Sequence, residues 1–256
     1  MPRLVALDLV GGPMFVDALR RVWDDGDAVA PLDPRLPVPA RQRVLEALAP
    51  SAVIDAMGEH ALAAGRAVEP GDAVVVTTSG TTGDPKGVVL THAAVAASAN
   101  AVSARIGTAA GDHWLACLPL AHVGGLSVIT RALVLGTPLT VLPTADPTAV
   151  AAAARQGATL VSLVATALRR IDPALFRVVL LGGSRPPADR PVNSVATYGM
   201  TETGSGVVYD GRPLDGVEIR IDDLGEIHVR GPMLLRCYRD GTAPLDAGGW
   251  FATGDV

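Results

Sequence analysis

Aromatic side chains make up only 4% of this 256-residue sequence, and cysteine occurs twice, at Cys117 and Cys237. The two thiols lie far apart and form no CxxC pattern, so neither a disulfide framework nor a zinc site is signalled. Charges, Gly or Pro interrupt every apolar stretch before about 18 residues accumulate. The positive mean hydropathy of +0.34 therefore reflects alanine and valine, not a membrane span. The N-terminus MPRLVALDLVGGP carries Asp8 and lacks a small-residue cleavage pattern, which argues against a secretory signal and makes the cytoplasm the expected compartment. Acidic residues outnumber basic ones by 26 to 21, and no basic run could track a phosphate backbone, so nucleic acid is not an expected partner. What is abundant is apolar: 49% of the chain is hydrophobic, enough for one large core or two that share an interface.

Short β-branched runs alternate with Ala-rich segments of helical length, the signature of βα units around largely parallel sheets and hence of an α/β fold. Strands are expected at Ala73 to Val76, Leu139 to Leu142, Thr159 to Leu163 and Arg177 to Leu181, and helices at Thr91 to Ala104 and Pro147 to Arg155. After about residue 205 the pattern changes to short strand-like pieces between Gly, Asp and Pro, clearest at Val217 to Ile221 and Glu226 to Val229. This predicts an α/β core over residues 1–205 followed by a β-rich subdomain over 206–256.

The most chemically loaded segment is Thr77-Thr78-Ser79-Gly80-Thr81-Thr82-Gly83-Asp84-Pro85-Lys86-Gly87. Its glycines at 80, 83 and 87 would let backbone amides turn toward a ligand, its hydroxyls add donors, and Lys86 adds a positive charge, a composition suited to clasping a polyphosphate. It is not a Walker A loop, because Pro85 precedes Lys86 and Gly87 follows it. Further along, Tyr198-Gly199 offers an aromatic face beside an approachable backbone, suited to a purine held against the Gly182-Gly183-Ser184 turn. Thr201 and Glu202 present a hydroxyl and a carboxylate together, and one carboxylate plus substrate phosphates is a common way to hold Mg²⁺.

Taken with Pro119 to Gly125, Leu181 to Ser184, Tyr198 to Thr203, Gly225 to Pro232 and Gly249 to Asp255, the Ser/Thr/Gly loop resembles the ordered motifs of the adenylate-forming enzymes. These include acyl-CoA synthetases, luciferase and peptide-synthetase adenylation domains. Ala28 to Pro37 also looks like a family segment, so the resemblance covers nearly the whole chain. It implies the large N-terminal domain of that fold, two βα-layered subdomains plus a smaller barrel-like β subdomain. The mobile C-terminal lid domain, which carries the adenylation lysine, is expected to lie outside this sequence, and turnover by the chain alone is expected to be weak. The resemblance further implies ATP, Mg²⁺ and CoA as co-substrates and cofactors, a small carboxylic acid as partner, and a homodimer as the assembly to consider. It assigns the phosphates to Thr78, Ser79, Gly80, Thr81, Thr82, Gly83 and Lys86, the metal to Glu202 and the ribose hydroxyls to Asp255.

In the same motifs, His122 stands in a Pro-Leu-x-His-x-x-Gly context just ahead of an expected helix to about Leu135, where the family places a histidine that lines the acid pocket. Arg131, nine residues on, would face away from His122 on one continuous helix, so the two can share a pocket only if His122 sits in the preceding loop. Within the family the pattern looks like the short o-succinylbenzoate-CoA ligases, whose substrate has a second carboxylate in need of a counter-charge; Arg131 fits that need. The alternatives are another acyl- or aryl-CoA synthetase, or a nucleotide-binding fragment without turnover. A peptide-synthetase domain is disfavoured because no aspartate presents itself to capture an amino group.

Overall fold

The computed structural model describes residues 1–79 and 85–256. Two seven-stranded sheets and one three-stranded sheet organise them. The first sheet runs in the order Cys237–Tyr238, Pro85–Thr91, Asp72–Ser79, Ala28–Pro31, Leu4–Leu7, Ala52–Asp55, Gly58–Ala61. Its centre is parallel, and every residue of Leu4–Leu7 and Ala28–Pro31 is buried, as strands covered on both faces require. Because side chains alternate along a strand, Val5 and Leu7 pack toward Phe15, Leu19 and Val22 of the helix Pro13–Asp24. Leu4 and Ala6 face Val44 and Leu48 of the helix Val38–Leu48.

The second sheet runs Arg212–Pro213, Gly206–Tyr209, Ser194–Gly199, Val178–Gly182, Leu160–Val164, Trp114–Ala116, Leu139–Val141. The five strands from Ser194–Gly199 to Leu139–Val141 are parallel, and the last two in sequence, Gly206–Tyr209 and Arg212–Pro213, turn back antiparallel. Between the two large sheets lie the helices His92–Ile106 and Val123–Leu135, whose Val102, Leu126 and Ile129 join one core with residues of both. Pro147–Arg155 covers the outer face of the second sheet through Val150 and Ala153.

The expected strands and helices are present with small shifts at their ends. Thr91 does not open its helix but caps it, its hydroxyl accepting from Ala94 N at 3.1 Å, and Asp146 caps Pro147–Arg155 by accepting from Ala149 N at 2.9 Å. The change of pattern near residue 205 falls inside the second sheet, since Gly206–Tyr209 pairs with Ser194–Gly199. The β-rich remainder is an open antiparallel sheet of Glu218–Ile221, Ile227–Arg230 and Phe251–Ala252 among the described residues, with Val229 opposite Phe251 in its buried face.

Candidate nucleotide and acid site

Where Val178–Gly182 and Ser194–Gly199 end, a cavity of about 570 Å³ is lined by Gly183, Ser184, Arg185, Tyr198, Gly199 and Asp255, among others. Ligands of open α/β sheets sit beyond the carboxyl ends of parallel strands, and this cavity does so. Gly183 has φ +78, a left-handed turn that keeps the backbone low at the cavity wall. The Tyr198 hydroxyl donates to Asp255 Oδ2 at 2.8 Å, so the ring and the carboxylate expected to hold base and ribose are tied to each other. Partial burial, together with the neighbouring carboxylate, pushes the Tyr198 phenol up to about 12, which keeps it a donor at neutral pH.

A second cavity, of about 430 Å³, shares Gly183, Thr197 and Gly199 with the first and extends past His122, Gly124, Gly125, Ser127, Ser162, Ser205 and Tyr209. Gly182 and Gly199 are needed for this shape: a Cβ on Gly182 would meet Thr197 Oγ1 at 2.7 Å, and one on Gly199 would meet the Ser205 carbonyl oxygen at 2.2 Å. His122 is the residue ahead of the helix Val123–Leu135, in extended conformation, as sharing a pocket with Arg131 demands.

Arg131 itself is not among the residues lining this cavity; it lies behind Ser127 and Ser205, which are. Its guanidinium is fully buried, stacks 4.9 Å from the Trp114 ring centroid, and reaches the cavity wall by donating from Nη2 to Ser205 Oγ at 3.3 Å. Nε and Nη1 have no hydrogen-bond partner, and no carboxylate pairs with the group among the described residues. Burial lowers the pKa of this arginine from its ordinary value.

Of the phosphate motif, Gly80, Thr81, Thr82, Gly83 and Asp84 lie outside the described residues. Its flanks are strand rather than loop: Thr77, Thr78 and Ser79 pair antiparallel with Gly87, Lys86 and Pro85. Thr77, Thr78, His122 and Thr201 line a third cavity of about 380 Å³. Gly87 serves packing, not ligand approach, since a Cβ there would lie 2.7 Å from Leu48 Cδ2 and 2.8 Å from Arg239 Cβ. Glu202, half-buried on the short 3₁₀ turn Thr201–Thr203, accepts a hydrogen bond at 3.0 Å from Tyr238, and Lys86 Nζ lies 5.6 Å from the centroid of that same ring. The motif reading found neither Tyr238 nor the serines at 127, 162 and 205. Isolated serine hydroxyls carry no spacing signal, and Tyr238 reaches Glu202 from 36 positions away.

The profile of the AMP-binding enzyme family matches residues 63–239. A probable 2-succinylbenzoate–CoA ligase of Mycobacterium tuberculosis is 39% identical over 249 residues, covering 86% of this chain and 64% of that protein. The 2-succinylbenzoate–CoA ligase of Bacillus cytotoxicus is 34% identical over 71% of this chain and 46% of its own length. The chain thus spans between about half and two thirds of these relatives. Among solved structures, the o-succinylbenzoate CoA synthetase of Bacillus subtilis bound to a product analogue superposes with TM-score 0.87 at 26% identity, over 99% of this chain and 65% of that one. The same enzyme in complex with ATP and magnesium ion superposes with TM-score 0.83 at 25% identity, over 99% and 82%. With the family profile spanning the phosphate motif, the Tyr198 to Thr203 segment and the strand at Tyr238, the chain belongs to the AMP-binding enzyme family.

Proposed function

We propose that the chain is the nucleotide- and acid-binding part of an AMP-forming acid-CoA ligase whose acid is o-succinylbenzoate. The observation that carries this reading is the pair of cavities joined at Gly183, Thr197 and Gly199, with a buried guanidinium lacking a carboxylate behind the second. ATP would place its base against Tyr198 and the Gly182 to Ser184 turn, its ribose at Asp255 and its phosphates along Thr78 to Lys86. Glu202 suits Mg²⁺: it is a partly exposed carboxylate oriented by a donor, beside the Thr201 hydroxyl, and no basic side chain neutralises it among the described residues. Bound there, the ion would supply charge neutralisation at the phosphates.

The chain's own residues hold the acid carboxylate, in the second cavity, near the α-phosphorus at the shared wall. Attack forms the acyl–O–P bond, the bond to pyrophosphate breaks, and Lys86 and the motif's donors stabilise the charge that leaves. The CoA thiol then attacks the acyl carbon and AMP departs. His122 borders both the acid cavity and the cavity at Thr77 and Thr78, and is the group placed to control passage between them. The second carboxylate of the acid would draw on Arg131 by way of the Ser127 and Ser205 wall. We assign the enzyme to the cytoplasm; among the described residues no helix is long and apolar enough to cross a membrane.

A malonyl-CoA ligase of 28% identity and TM-score 0.81, bound to methylmalonyl-CoA and AMP, keeps a smaller dicarboxylate as a second reading. Calorimetric titration in the presence of ATP separates them: o-succinylbenzoate should bind more tightly than benzoate or malonate, and Asp255→Ala should weaken AMP by about tenfold or more through loss of a charged hydrogen-bond partner. Tighter malonate would select the second reading. AMP affinity unchanged in Asp255→Ala would remove the ribose assignment.

A further inference from the structure

The residue that joins the two charged ends of the phosphate site belongs to neither motif that supplies them. Tyr238 lies on the two-residue edge strand Cys237–Tyr238, opposite Val88, and its ring has Lys86 Nζ at 5.6 Å on one side while its hydroxyl donates to Glu202 Oε1 at 3.0 Å. Lys86 is the single lysine of the sequence, against twenty arginines. A lysine and a glutamate this close to one tyrosine would be expected to pair, yet no Lys86–Glu202 bridge forms. Paired, the ammonium would be withdrawn from a phosphate and the carboxylate from a cation.

The edge strand is held with unusual firmness for its length. Arg236 binds the buried Asp72 through Nε at 2.9 Å and Nη2 at 2.8 Å. On the other side the buried Arg239 donates to the carbonyls of Leu48 at 2.9 Å and Ala67 at 2.8 Å, and to those of Ala49 and Arg66. Its amide bonds Gly87 O at 2.6 Å, at the glycine whose missing Cβ makes room for the Arg239 side chain. Two arginines thus fix the backbone on either side of Tyr238, and a side chain so anchored can set a distance between its neighbours.

We infer that Tyr238 is a positioning residue for the phosphate site, a spacer that keeps Lys86 and Glu202 apart and aims each at its own ligand, the lysine at a polyphosphate and the carboxylate at a divalent cation. The inference rests on the functional reading above, in which those two residues face ATP and Mg²⁺. Hydrogen-bond partners of a ligating carboxylate commonly contribute ten- to hundredfold to metal affinity.

The two halves of the role separate in two variants. Tyr238→Phe keeps the ring beside Lys86 and removes the donor to Glu202: the Mg²⁺ concentration giving half-maximal ATP binding should rise about tenfold, with Mg²⁺-free pyrophosphate binding and AMP affinity unchanged. Tyr238→Leu removes both contacts: pyrophosphate binding should weaken as well, because the lysine is released to pair with Glu202. A direct view of the lysine is available because there is only one. Reductive methylation with ¹³C-formaldehyde keeps its charge and gives one side-chain resonance, assigned by its loss in Lys86→Arg. It should be ring-shifted in the parent and in Tyr238→Phe, and lose that shift in Tyr238→Leu. A tyrosine of purely structural importance would alter AMP, ATP and pyrophosphate binding together or not at all. Folded variants with the parent's Mg²⁺ midpoint and pyrophosphate affinity would overturn the inference while leaving the functional reading intact. A parent chain that binds no AMP would overturn both.

Discussion

Arg131→Met tests whether a charge is buried for binding and at the expense of stability. The substitution removes the guanidinium and keeps most of its bulk against Trp114. In the folded chain the group has lost its hydration on all sides, and Nε and Nη1 recover no hydrogen bond. Desolvating a buried ion costs several kcal/mol even after relaxation, whereas a desolvated cation–π stack returns about 2 kcal/mol and one long hydrogen bond to a hydroxyl about 1 kcal/mol. The balance favours the variant by about 1 to 3 kcal/mol, which for a chain of this size raises Tm by about 2 to 4 °C per kcal/mol. Binding should move the opposite way. Loss of the positive charge behind the Ser127 and Ser205 wall should weaken o-succinylbenzoate by about 2 kcal/mol, roughly thirtyfold, while benzoate and ATP bind as before. Scanning calorimetry reads the first effect and isothermal titration the second. A variant that melts lower and loses both acids equally would show Arg131 to be a structural arginine, and the dicarboxylate assignment would fall with it.

Two further perturbations probe the fold that shapes the site. Gly199→Ala drives a Cβ to 2.2 Å from the Ser205 carbonyl oxygen, so the antiparallel pair must shift; chemical denaturation should show a loss of about 1 to 3 kcal/mol and titration a parallel loss of AMP and acid binding. His92 is held below its ordinary pKa, chiefly by burial beside Trp23, with Asp72 acting the other way. The neutral form is therefore preferred in the folded chain, so the linked stability is complete above the unfolded value near 6.5 and is lost as pH falls from there toward the folded value. Denaturation midpoints measured from pH 7.5 to 5 should decline in the parent and decline less in His92→Gln; identical slopes would refute the linkage.

The α/β architecture was legible because buried strands read as unbroken apolar runs, as Ala73 to Val76 does, and because helix signals such as Asp146-Pro147 are local. The first cavity gathers residues that stand in contiguous motifs, Gly183 and Ser184, Tyr198-Gly199 and Asp255, so its lining was legible for a related reason. What the sequence did not disclose are features made by residues distant in the chain. The subdomain boundary expected at 205 is crossed by strand pairing, since a composition shift records solvent exposure and turn density, not which edge a strand joins. Gly87 reads like its loop neighbours, but its reason is the side chain of Arg239. Arg131 was expected in the acid pocket and stands one layer behind it, because helical spacing gives a direction and not a depth.

The position of Cys237–Tyr238 at the edge of the first sheet has a consequence for synthesis on the ribosome. The strand Pro85–Thr91, with Val88, Val89 and Leu90 fully buried in the finished protein, acquires its outer partner only after roughly 150 further residues have been made. At about 5 to 20 residues per second that interval is roughly 7 to 30 seconds. For that time a hydrophobic strand presents an unpaired edge of the kind that recruits other chains. Asp72 and the carbonyls of Leu48, Ala49, Arg66 and Ala67 wait longer still for the two arginines that will bind them. The strand that leads out of the phosphate motif is therefore the hydrophobic edge left open longest in this sheet, at Val88 to Leu90, until Cys237–Tyr238 arrives to close it.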